Sequence, residues 1–267
     1  MATAKLGRMV RIPFGDVALA LRVPRGARVL RSRPVRAVGS PGKAVQDALA
    51  RPVGTPPFNE VVRRKGARSA VVVLSDGTRP VPYRAVLPPL LSALKAAGIA
   101  RRRILLLVAT GLHRPMTRAE QIAHYGKRVV DRYRLVNHTA ANPWSWADTG
   151  KRSPSGARLH VNRHYLRADL RILTGLIEPH FMAGYSGGRK AIVPGLVDLE
   201  AVQQFHGFRL LDHPRAANGV VRGNPVHEES LGAARAVGAD FVLNVTITPD
   251  RRVAGVFAGD LEEAWQA

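Results

Sequence analysis

Three short, mostly apolar runs dominate the pattern of hydrophobic and polar positions along the chain. They occupy residues 71–74, 104–109 and 170–177, and a polar segment that contains glycine follows each of them. Runs of this length without regular alternation are typical of strands that are buried on both faces of a parallel sheet. The pattern therefore predicts three buried parallel strands.

Helix signals lie between these runs. We expect a helix to begin at Pro88 or Pro89, because proline suits the first helical turn, and to end before Gly98. Thr117 and Glu120 have the spacing of a capping box, so a second helix is expected to extend from there toward residue 125.

The second half of the chain continues the alternation. Residues 198–206 and 226–237 have helical patterns, and residues 241–247 and 253–257 read as late strands around a turn. Alternating strands and helices are typical of an α/β fold. We therefore expect an open, mostly parallel sheet flanked by helices, a Rossmann-like architecture.

Other segments give weaker signals. Short β-like pieces at 17–23 and 28–29 are broken by proline and glycine, which predicts a small β-rich N-terminal section. Residues 128–137 are predicted as another strand, and residues 140–157 as a polar loop that contains tryptophan. We expect a single α/β domain over residues 1–267.

Composition excludes several classes of protein. The chain has no cysteine, so disulfides, cysteine-based zinc sites and thiol nucleophiles are excluded. Residues 1–15 lack the apolar core of a secretory signal, and no run approaches the roughly 18 apolar residues of a membrane span. We therefore expect a cytoplasmic protein that does not enter a membrane.

The net charge is unusual. Lysine and arginine number 41 against 19 acidic residues, which gives a net charge of +22, and 34 of the 41 are arginine. Such a surplus attracts polyanions, including nucleic acid. The arginines are scattered, however, and aromatic residues make up only 6% of the chain, too few for a base-stacking platform. A compositional bias toward arginine is the preferred interpretation, and a non-catalytic basic module that binds a nucleotide or nucleic acid is the alternative.

Candidate chemistry gathers in the segments that follow the three apolar runs. In chain order, the side chains of interest there are Asp76, Arg79, His113, His180 and Lys190. The carboxyl ends of parallel strands form the ligand crevice of an open sheet. These side chains are therefore predicted to converge if the three strands are neighbours.

The residue types suit an anionic small molecule or cofactor. Arg79 can bind a carboxylate or phosphate through its planar fork, and His113 and His180 can exchange protons near neutral pH. Lys190 can serve as a positive charge or as a covalent attachment point. The glycine-rich segment before it is not a Walker A loop, because Ala191 rather than serine or threonine follows the lysine.

Two further features leave alternatives open. The amides of Gly187 and Gly188, beside Arg189, are candidates to hold a phosphate, although a plain glycine turn gives the same pattern. His206 follows a predicted helix, where it either caps the helix end or binds a metal ion. A metal hydrolase that uses His206 and the two strand-end histidines is a further option.

Four motifs are specific only in combination. They are Ser-Asp-Gly-Thr-Arg-Pro at 75–80, Gly-Leu-His-Arg-Pro-Met-Thr at 111–117, the segment from Glu-Pro-His to Gly-Gly-Arg-Lys at 178–190, and His206. Their order and spacing, over about residues 10–267, resemble the N-terminal domain of the nickel-dependent lactate racemase family.

The resemblance implies a covalently bound nickel-pincer nucleotide, a pyridinium mononucleotide that carries nickel. Lys190 falls on the lysine that forms a thioamide with this cofactor, and His206 falls on the nickel ligand. His113 and His180 fall on the acid/base pair. The remaining positions implied to contact the cofactor are Asp76, Thr78, Arg79, Ser186, Gly187, Gly188 and Arg189.

The implied activity is racemisation or epimerisation of a small 2-hydroxy acid by proton-coupled hydride transfer. Nickel and the enzymes that make the cofactor are the implied partners. The family also has a C-terminal domain that closes the cleft and supplies substrate-binding residues, and we expect it to be absent from these 267 residues. Turnover is therefore expected to depend on a separate C-terminal domain.

Overall fold

The computed structural model describes residues 6–14, 17–30 and 33–267. The chain divides into two compact units, Met1–Pro34 and Val35–Ala267. Residues 1–5 lie outside the described ranges. They are part of the segment 1–15, which is predicted not to be a secretory signal.

The first unit contains an antiparallel hairpin. Strand β1 (Leu6–Phe14) pairs with strand β2 (Val17–Pro24), so the strand predicted at 17–23 and the β-rich N-terminal section are confirmed. The strand predicted at 28–29 is wrong. A turn at Gly26, which has a φ of 87°, ends the hairpin, and the residues after it form no ladder in the described part of the chain.

The second unit contains the remaining strands and all helices of the described residues. The strands are β3 (Ala70–Ser75), β4 (Ile104–Ala109), β5 (Arg134–Asn137), β6 (Trp146–Arg152), β7 (Arg158–Asn162), β8 (Leu170–Leu176), β9 (Pro179–His180), β10 (Gly184–Tyr185), β11 (Phe241–Ile247) and β12 (Val253–Gly259). The α-helices are α1 (Pro41–Ala50), α2 (Phe58–Arg64), α3 (Tyr83–Ala96), α4 (Arg118–Tyr125), α5 (Lys127–Arg132), α6 (Arg163–Arg167), α7 (Leu199–Phe205), α8 (Phe208–Leu211), α9 (Pro225–Val237) and α10 (Glu263–Gln266). Short 3₁₀ turns occupy Arg101–Arg103 and Gly188–Ala191.

A six-stranded sheet forms the centre of the second unit, in the strand order β12-β11-β8-β3-β4-β5. Neighbouring strands are parallel except for β11 and β12, which are antiparallel. The predicted Rossmann-like sheet is therefore confirmed. Because β3 lies between β8 and β4, the three apolar runs are adjacent strands, and their carboxyl ends meet at one edge.

The central strand explains why the apolar runs lack alternation. Val72 and Leu74 of β3 pack into a hydrophobic layer with helices α1, α2 and α3. Val71 and Val73 pack into a second layer on the opposite face, together with α7 and α9. Both faces of the strand are buried, so apolar side chains are favoured at every position.

Helix α3 corrects one predicted boundary. It begins at Tyr83, so Pro88 and Pro89 lie inside the helix rather than in its first turn. Each internal proline removes a backbone donor and costs stability. Burial of Tyr83, Val86 and Leu87 on the sheet offsets that cost and extends the helix toward its N-terminus.

Three further segments differ from prediction. Helices α1 and α2 occupy a region in which no helix was predicted. Helix α5 replaces the first half of the strand predicted at 128–137. Gly126, at a φ of 91°, ends α4 and precedes the first residue of α5. The predicted loop at 140–157 contains β6, which pairs with β7 although its own residues are largely polar.

The capping box at Thr117 and Glu120 is confirmed, with both reciprocal hydrogen bonds present at the start of α4. The helices predicted at 198–206 and 226–237 are also confirmed, as α7 and α9. In the described part of the chain, no helix is both long enough and apolar enough to cross a membrane.

Gly184 tests how tightly the segment after β8 is packed. It has a φ of 73°, and a Cβ atom there would lie 2.1 Å from the carbonyl oxygen of Val220. Gly66 has a similar φ of 58° and nothing within 4 Å of its Cβ position, so it is a matched control. We expect Gly66→Ala to lower the free energy of unfolding by about 1 kcal/mol through backbone strain, and Gly184→Ala by about 3 kcal/mol because overpacking adds to the strain. Urea unfolding measures both values, and equal losses would contradict the tight packing.

Candidate active site

A cavity of about 440 Å³ opens at the carboxyl ends of β3, β4 and β8. Its wall is formed by the three segments that follow these strands, by the Gly188–Ala191 turn and by the end of α7. The site residues predicted from sequence that line it are Asp76, Thr78, Arg79, His113, His180, Ser186, Gly187, Lys190 and His206. The topology thus brings together side chains that lie far apart in the sequence.

Asp76 and His113 form a hydrogen-bonded pair at one side of the cavity. The Oδ2 atom of the buried Asp76 carboxylate lies 2.6 Å from Nδ1 of His113. Its Oδ1 atom accepts hydrogen bonds from the amide and the hydroxyl of Thr78, at 3.1 and 2.6 Å. A carboxylate at Nδ1 keeps the ring proton on that atom, so Nε2 has a free lone pair and can act as a base.

Buried hydroxyl groups hold the backbone beside this pair. The Tyr83 hydroxyl accepts a bond of 2.6 Å from the amide of Ser75 and lies 3.0 Å from Oγ1 of Thr174. The Tyr125 hydroxyl donates to the carbonyl oxygen of Ser75 at 2.8 Å. Burial raises the pKa of Tyr83, so the hydroxyl stays neutral. The apolar-run pattern gives no signal for these residues, which fix the strand end from which Asp76 projects.

Lys190 and His180 form a second pair. Nζ of Lys190 lies 2.8 Å from Nε2 of His180. Nδ1 of His180 accepts the amides of Met182 and Ala183, both at 3.4 Å, and the imidazole stacks on Phe181 with ring centroids 4.9 Å apart. With backbone donors at Nδ1, the proton of the neutral ring belongs on Nε2. The Lys190 amine is then the acceptor of the bond, which requires it to be uncharged.

The electrostatics of the pair support an uncharged amine. The pKa of Lys190 is lowered to about 7, first by burial and then by the positive charges of Arg79 and Arg189. Glu178 acts in the opposite direction, but its carboxylate is paired with Arg79 at 3.1 Å. The pKa of His180 is lowered to about 3, first by burial and then by the charge of Lys190. A neutral lysine amine is a nucleophile at physiological pH.

The pKa of Lys190 can be measured directly. Reductive methylation with ¹³C-formaldehyde labels all seven lysines, and each methyl signal is followed by NMR as the pH is raised. We expect one signal, absent from Lys190→Ala, to titrate near pH 7. Because the folded chain binds this proton more weakly than the unfolded chain does, the Lys190 contribution to stability should fall as the pH decreases from about 10.5 to about 7. A Lys190 signal that titrates near 10.5, the ordinary lysine value, would contradict this electrostatic account.

His206 follows the last residue of α7. Its Nδ1 donates to the carbonyl oxygen of Val202 at 3.0 Å, which closes the end of the helix and fixes the proton on Nδ1. The neutral ring therefore has its lone pair on Nε2, the form in which histidine binds metal ions. The two interpretations of His206 are thus compatible, since one ring nitrogen serves the helix end and the other is free for a ligand.

Two predicted phosphate ligands, Arg189 and Gly188, have hydrogen-bond partners within the protein. Arg189 does not line the cavity; its side chain is buried and donates to the carbonyl oxygens of Ala183 and Tyr185, at 3.1 and 3.0 Å. The Gly188 amide donates to Oδ1 of Asn244 at 3.1 Å. Both groups donate their hydrogen bonds to protein oxygens, because the 3₁₀ turn directs them away from the cavity.

The Ser186 hydroxyl also has protein partners. It donates to the carbonyl oxygen of Leu176 at 2.6 Å and accepts from the amide of Glu178 at 3.0 Å. Ser186 therefore ties the two ends of the β9–β10 segment together at the cavity wall.

A metal hydrolase based on histidines finds no support. Across residues 6–14, 17–30 and 33–267, no three histidine, aspartate or glutamate side chains form a group that could hold a metal ion.

Fold and site together define a Rossmann-like α/β protein with a cavity of a size suited to a small molecule or cofactor at the carboxyl edge of its sheet. The family model for the lactate racemase N-terminal domain matches residues 14–219. The chain belongs to the lactate racemase family, in which it corresponds to this N-terminal domain.

Individual relatives agree with the family assignment. The chain is 35% identical to a lactate racemase of Thermoanaerobacterium thermosaccharolyticum over 259 residues, which cover 96% of this chain and 60% of that protein. It is 36% identical to a lactate racemase of Lactiplantibacillus plantarum over 222 residues, which cover 83% of this chain and 51% of that protein. The chain thus spans between half and three fifths of the length of these curated relatives.

Solved structures give the same result. The structure of the lactate racemase apoprotein from Thermoanaerobacterium thermosaccharolyticum matches 96% of this chain and 60% of that one, with a TM-score of 0.84 and 34% identity. A Thermotoga maritima protein matches 85% of this chain and 58% of that one, with a TM-score of 0.69 and 23% identity, and shares the fold. The comparisons give no support to the alternative of a basic nucleic-acid-binding module.

Proposed function

We propose that this chain is the cofactor-holding part of an enzyme that racemises or epimerises a small 2-hydroxy acid, with lactate as the first substrate to test. The observation that carries the proposal is the Lys190 amine, which lies in the cavity at 2.8 Å from His180 and has a pKa lowered to about 7. A lysine in this state suits covalent attachment of a cofactor better than it suits an ion pair.

The residues present fit a nickel-pincer nucleotide. The cavity of about 440 Å³ lies in the range of small-molecule and cofactor sites. Imidazole is a suitable ligand for nickel, and His206 has the tautomer that leaves Nε2 free for it. Because no three protein groups form a metal site in the described ranges, a metal whose other ligands come with the cofactor is the arrangement that this donor set fits.

Each residue has a separate part in the proposal. Lys190 tethers the cofactor, and His206 contributes the protein ligand to nickel. Arg79, which is partly exposed and shares its guanidinium with Glu178, attracts the carboxylate of the substrate or the phosphate of the cofactor. When bound, the cofactor supplies a reversible hydride acceptor for the α-carbon of the substrate.

The protein itself moves protons. His113, held by Asp76 with its Nε2 free, takes the hydroxyl proton of a 2-hydroxy acid as the α-carbon becomes planar. His180 is assigned the corresponding proton for the opposite enantiomer, a role that requires its Nε2 to be released from the hydrogen bond with Lys190 and to lose the proton that it carries in the cofactor-free chain. Two histidines are needed because a racemase has to transfer a proton to or from each of the two enantiomers of the substrate.

The proposal has consequences for the partners of the chain. A covalent cofactor of this kind needs enzymes that make it and deliver nickel. Residues Val35–Ala267 would form the cofactor-binding domain. A C-terminal domain of the kind found in the family would close the cavity and exclude water during the reaction.

The proposal is tested by producing the chain together with cofactor-making enzymes and nickel. The purified protein is analysed for nickel and is incubated with one enantiomer of lactate, and the products are separated by chiral chromatography. We expect about one nickel per chain, and appearance of the other enantiomer once a C-terminal domain of the family is present in the reaction. A folded protein that holds no nickel and leaves the enantiomer unchanged would contradict the proposal.

A further inference from the structure

Arg189 is the most deeply buried charged residue near the site, with a relative exposure of 1%. Among the described residues, its Nη2 atom donates hydrogen bonds to two carbonyl oxygens, those of Ala183 and Tyr185. Its Nε and Nη1 atoms are buried and have no hydrogen-bond partner in the described part of the chain. A buried cation with incomplete partners is costly, so its presence here calls for a reason beyond stability.

Trp265, on the short helix α10, contacts three of the five residues that end in Lys190. Its indole face lies 4.1 Å from the guanidinium carbon of Arg189, a cation–π contact. Its Nε1 donates to the carbonyl oxygen of Ser186 at 2.8 Å. Its ring also lies 3.0 Å from the position that a Cβ atom of Gly188 would occupy. Trp265 therefore packs directly on the turn that presents Lys190.

The geometry of the turn links Arg189 to Lys190. Both residues lie in the 3₁₀ turn Gly188–Ala191, where consecutive side chains point about 120° apart. Arg189 is held in the interior by the carbonyl oxygens and by Trp265, so Lys190 is directed toward the cavity. Release of Arg189 would let the turn rotate and would remove the constraint on the direction of Lys190.

We propose that Arg189 and Trp265 form a clamp that positions Lys190 for covalent attachment of the cofactor. The positioning role rests on the geometry of the turn, whereas the attachment step rests on the function proposed above. The buried charge of Arg189 also contributes to the lowered pKa of Lys190, in agreement with a role in preparing the amine. Neither residue lines the cavity, so both act through Lys190 and are positioning residues.

The first test uses the cofactor-free chain. Trp265→Leu removes the indole face and the bond to Ser186, and the Lys190 titration is followed by ¹³C-methyl NMR. We expect the pKa of Lys190 to rise from about 7 toward its ordinary value as the side chain gains solvent. Trp144→Leu is the matched control, because Trp144 is 81% exposed, and it should leave the titration unchanged. An unchanged Lys190 titration in folded Trp265→Leu would overturn the clamp.

The second test measures attachment. The chain is produced with cofactor-making enzymes and nickel, and intact mass spectrometry gives the fraction of chains that carry an adduct. We expect Trp265→Leu to lower this fraction at least about tenfold, and Trp265→Phe, which keeps an aromatic face but loses the bond to Ser186, to give an intermediate value. Equal fractions in the wild type and in folded Trp265→Leu would contradict the clamp.

The two tests separate the two proposals. If the wild-type chain takes no adduct, the proposed function fails, and the NMR titration still decides whether Trp265 positions Lys190. If Trp265→Leu does not unfold cooperatively in urea, Trp265→Phe is measured in its place. An unchanged titration together with an unchanged adduct fraction in that variant would also overturn the clamp.

Discussion

Replacement of Lys190 by alanine is expected to abolish function while leaving the fold intact. The variant removes the amine that lies 2.8 Å from His180, and with it the only proposed covalent tether of the cofactor. We expect the nickel content and the conversion of one lactate enantiomer into the other to fall to background, a loss of at least about a hundredfold, because the cofactor carries the hydride step. Metal analysis and chiral chromatography measure the two quantities.

The control for this variant is another lysine. Lys127 is exposed on α5 and pairs with Asp131 of the same helix, so Lys127→Ala should retain nickel and conversion. Lys190→Ala should also keep its cooperative urea unfolding, because the charged form of Lys190 is disfavoured by burial. Full conversion by Lys190→Ala would rule out a covalent tether at this residue.

Asp76→Asn is expected to lower turnover by about a hundredfold or more while the cofactor remains attached, because general-base catalysis contributes on that scale. In the wild type, the carboxylate at 2.6 Å keeps the proton of His113 on Nδ1 and leaves Nε2 as the base. The asparagine amide can donate to Nδ1 instead, which moves the ring proton to Nε2 and removes the base. The bond from the Thr78 hydroxyl can be kept, since asparagine retains an oxygen.

Two measurements distinguish this effect from a loss of structure. The ¹⁵N chemical shifts of His113 in the cofactor-free chain report which ring nitrogen is protonated, and we expect them to exchange roles in Asp76→Asn. The control is Asp47→Asn, in which an exposed carboxylate that pairs with Lys43 on α1 is replaced. Retained turnover together with a wild-type tautomer in Asp76→Asn would show that Asp76 does not orient His113.

The central strands of the sheet could be predicted from sequence because both of their faces lie in the apolar interior. β3, β4 and β8 are buried on both faces, so their apolar runs stand out without any knowledge of the rest of the fold. β6 is held by its ladder with β7 rather than by an apolar face, and its polar residues therefore resemble a loop. Helix α5 carries two valines whose preference for strands is overridden by their burial in the core.

The site could be predicted as far as the strand ends determine it. Asp76, His113, His180 and Lys190 line one cavity because the strands that precede them are neighbours. The direction of Arg189 could not be predicted in the same way. It depends on the rotation of a 3₁₀ turn and on Trp265, whose place against that turn is set by the tertiary fold.

The hydrogen bonds within the site also could not be predicted from the sequence. The contact between Lys190 and His180 depends on two backbone amides that orient the imidazole. The contact between Asp76 and His113 joins segments that follow different strands. Such pairs form only when the side-chain atoms are placed to within a few tenths of an ångström. Strand and helix patterns do not determine positions that closely.

Intact mass spectrometry of the chain, produced with cofactor-making enzymes and nickel, tests the central claim most directly. The account predicts a covalent adduct that peptide mapping places on Lys190 and that is absent from Lys190→Ala. The lactate racemase of Thermoanaerobacterium thermosaccharolyticum, produced in the same way, controls for the supply of cofactor. A folded wild-type chain that carries neither adduct nor nickel, while the control protein is loaded, would contradict the account.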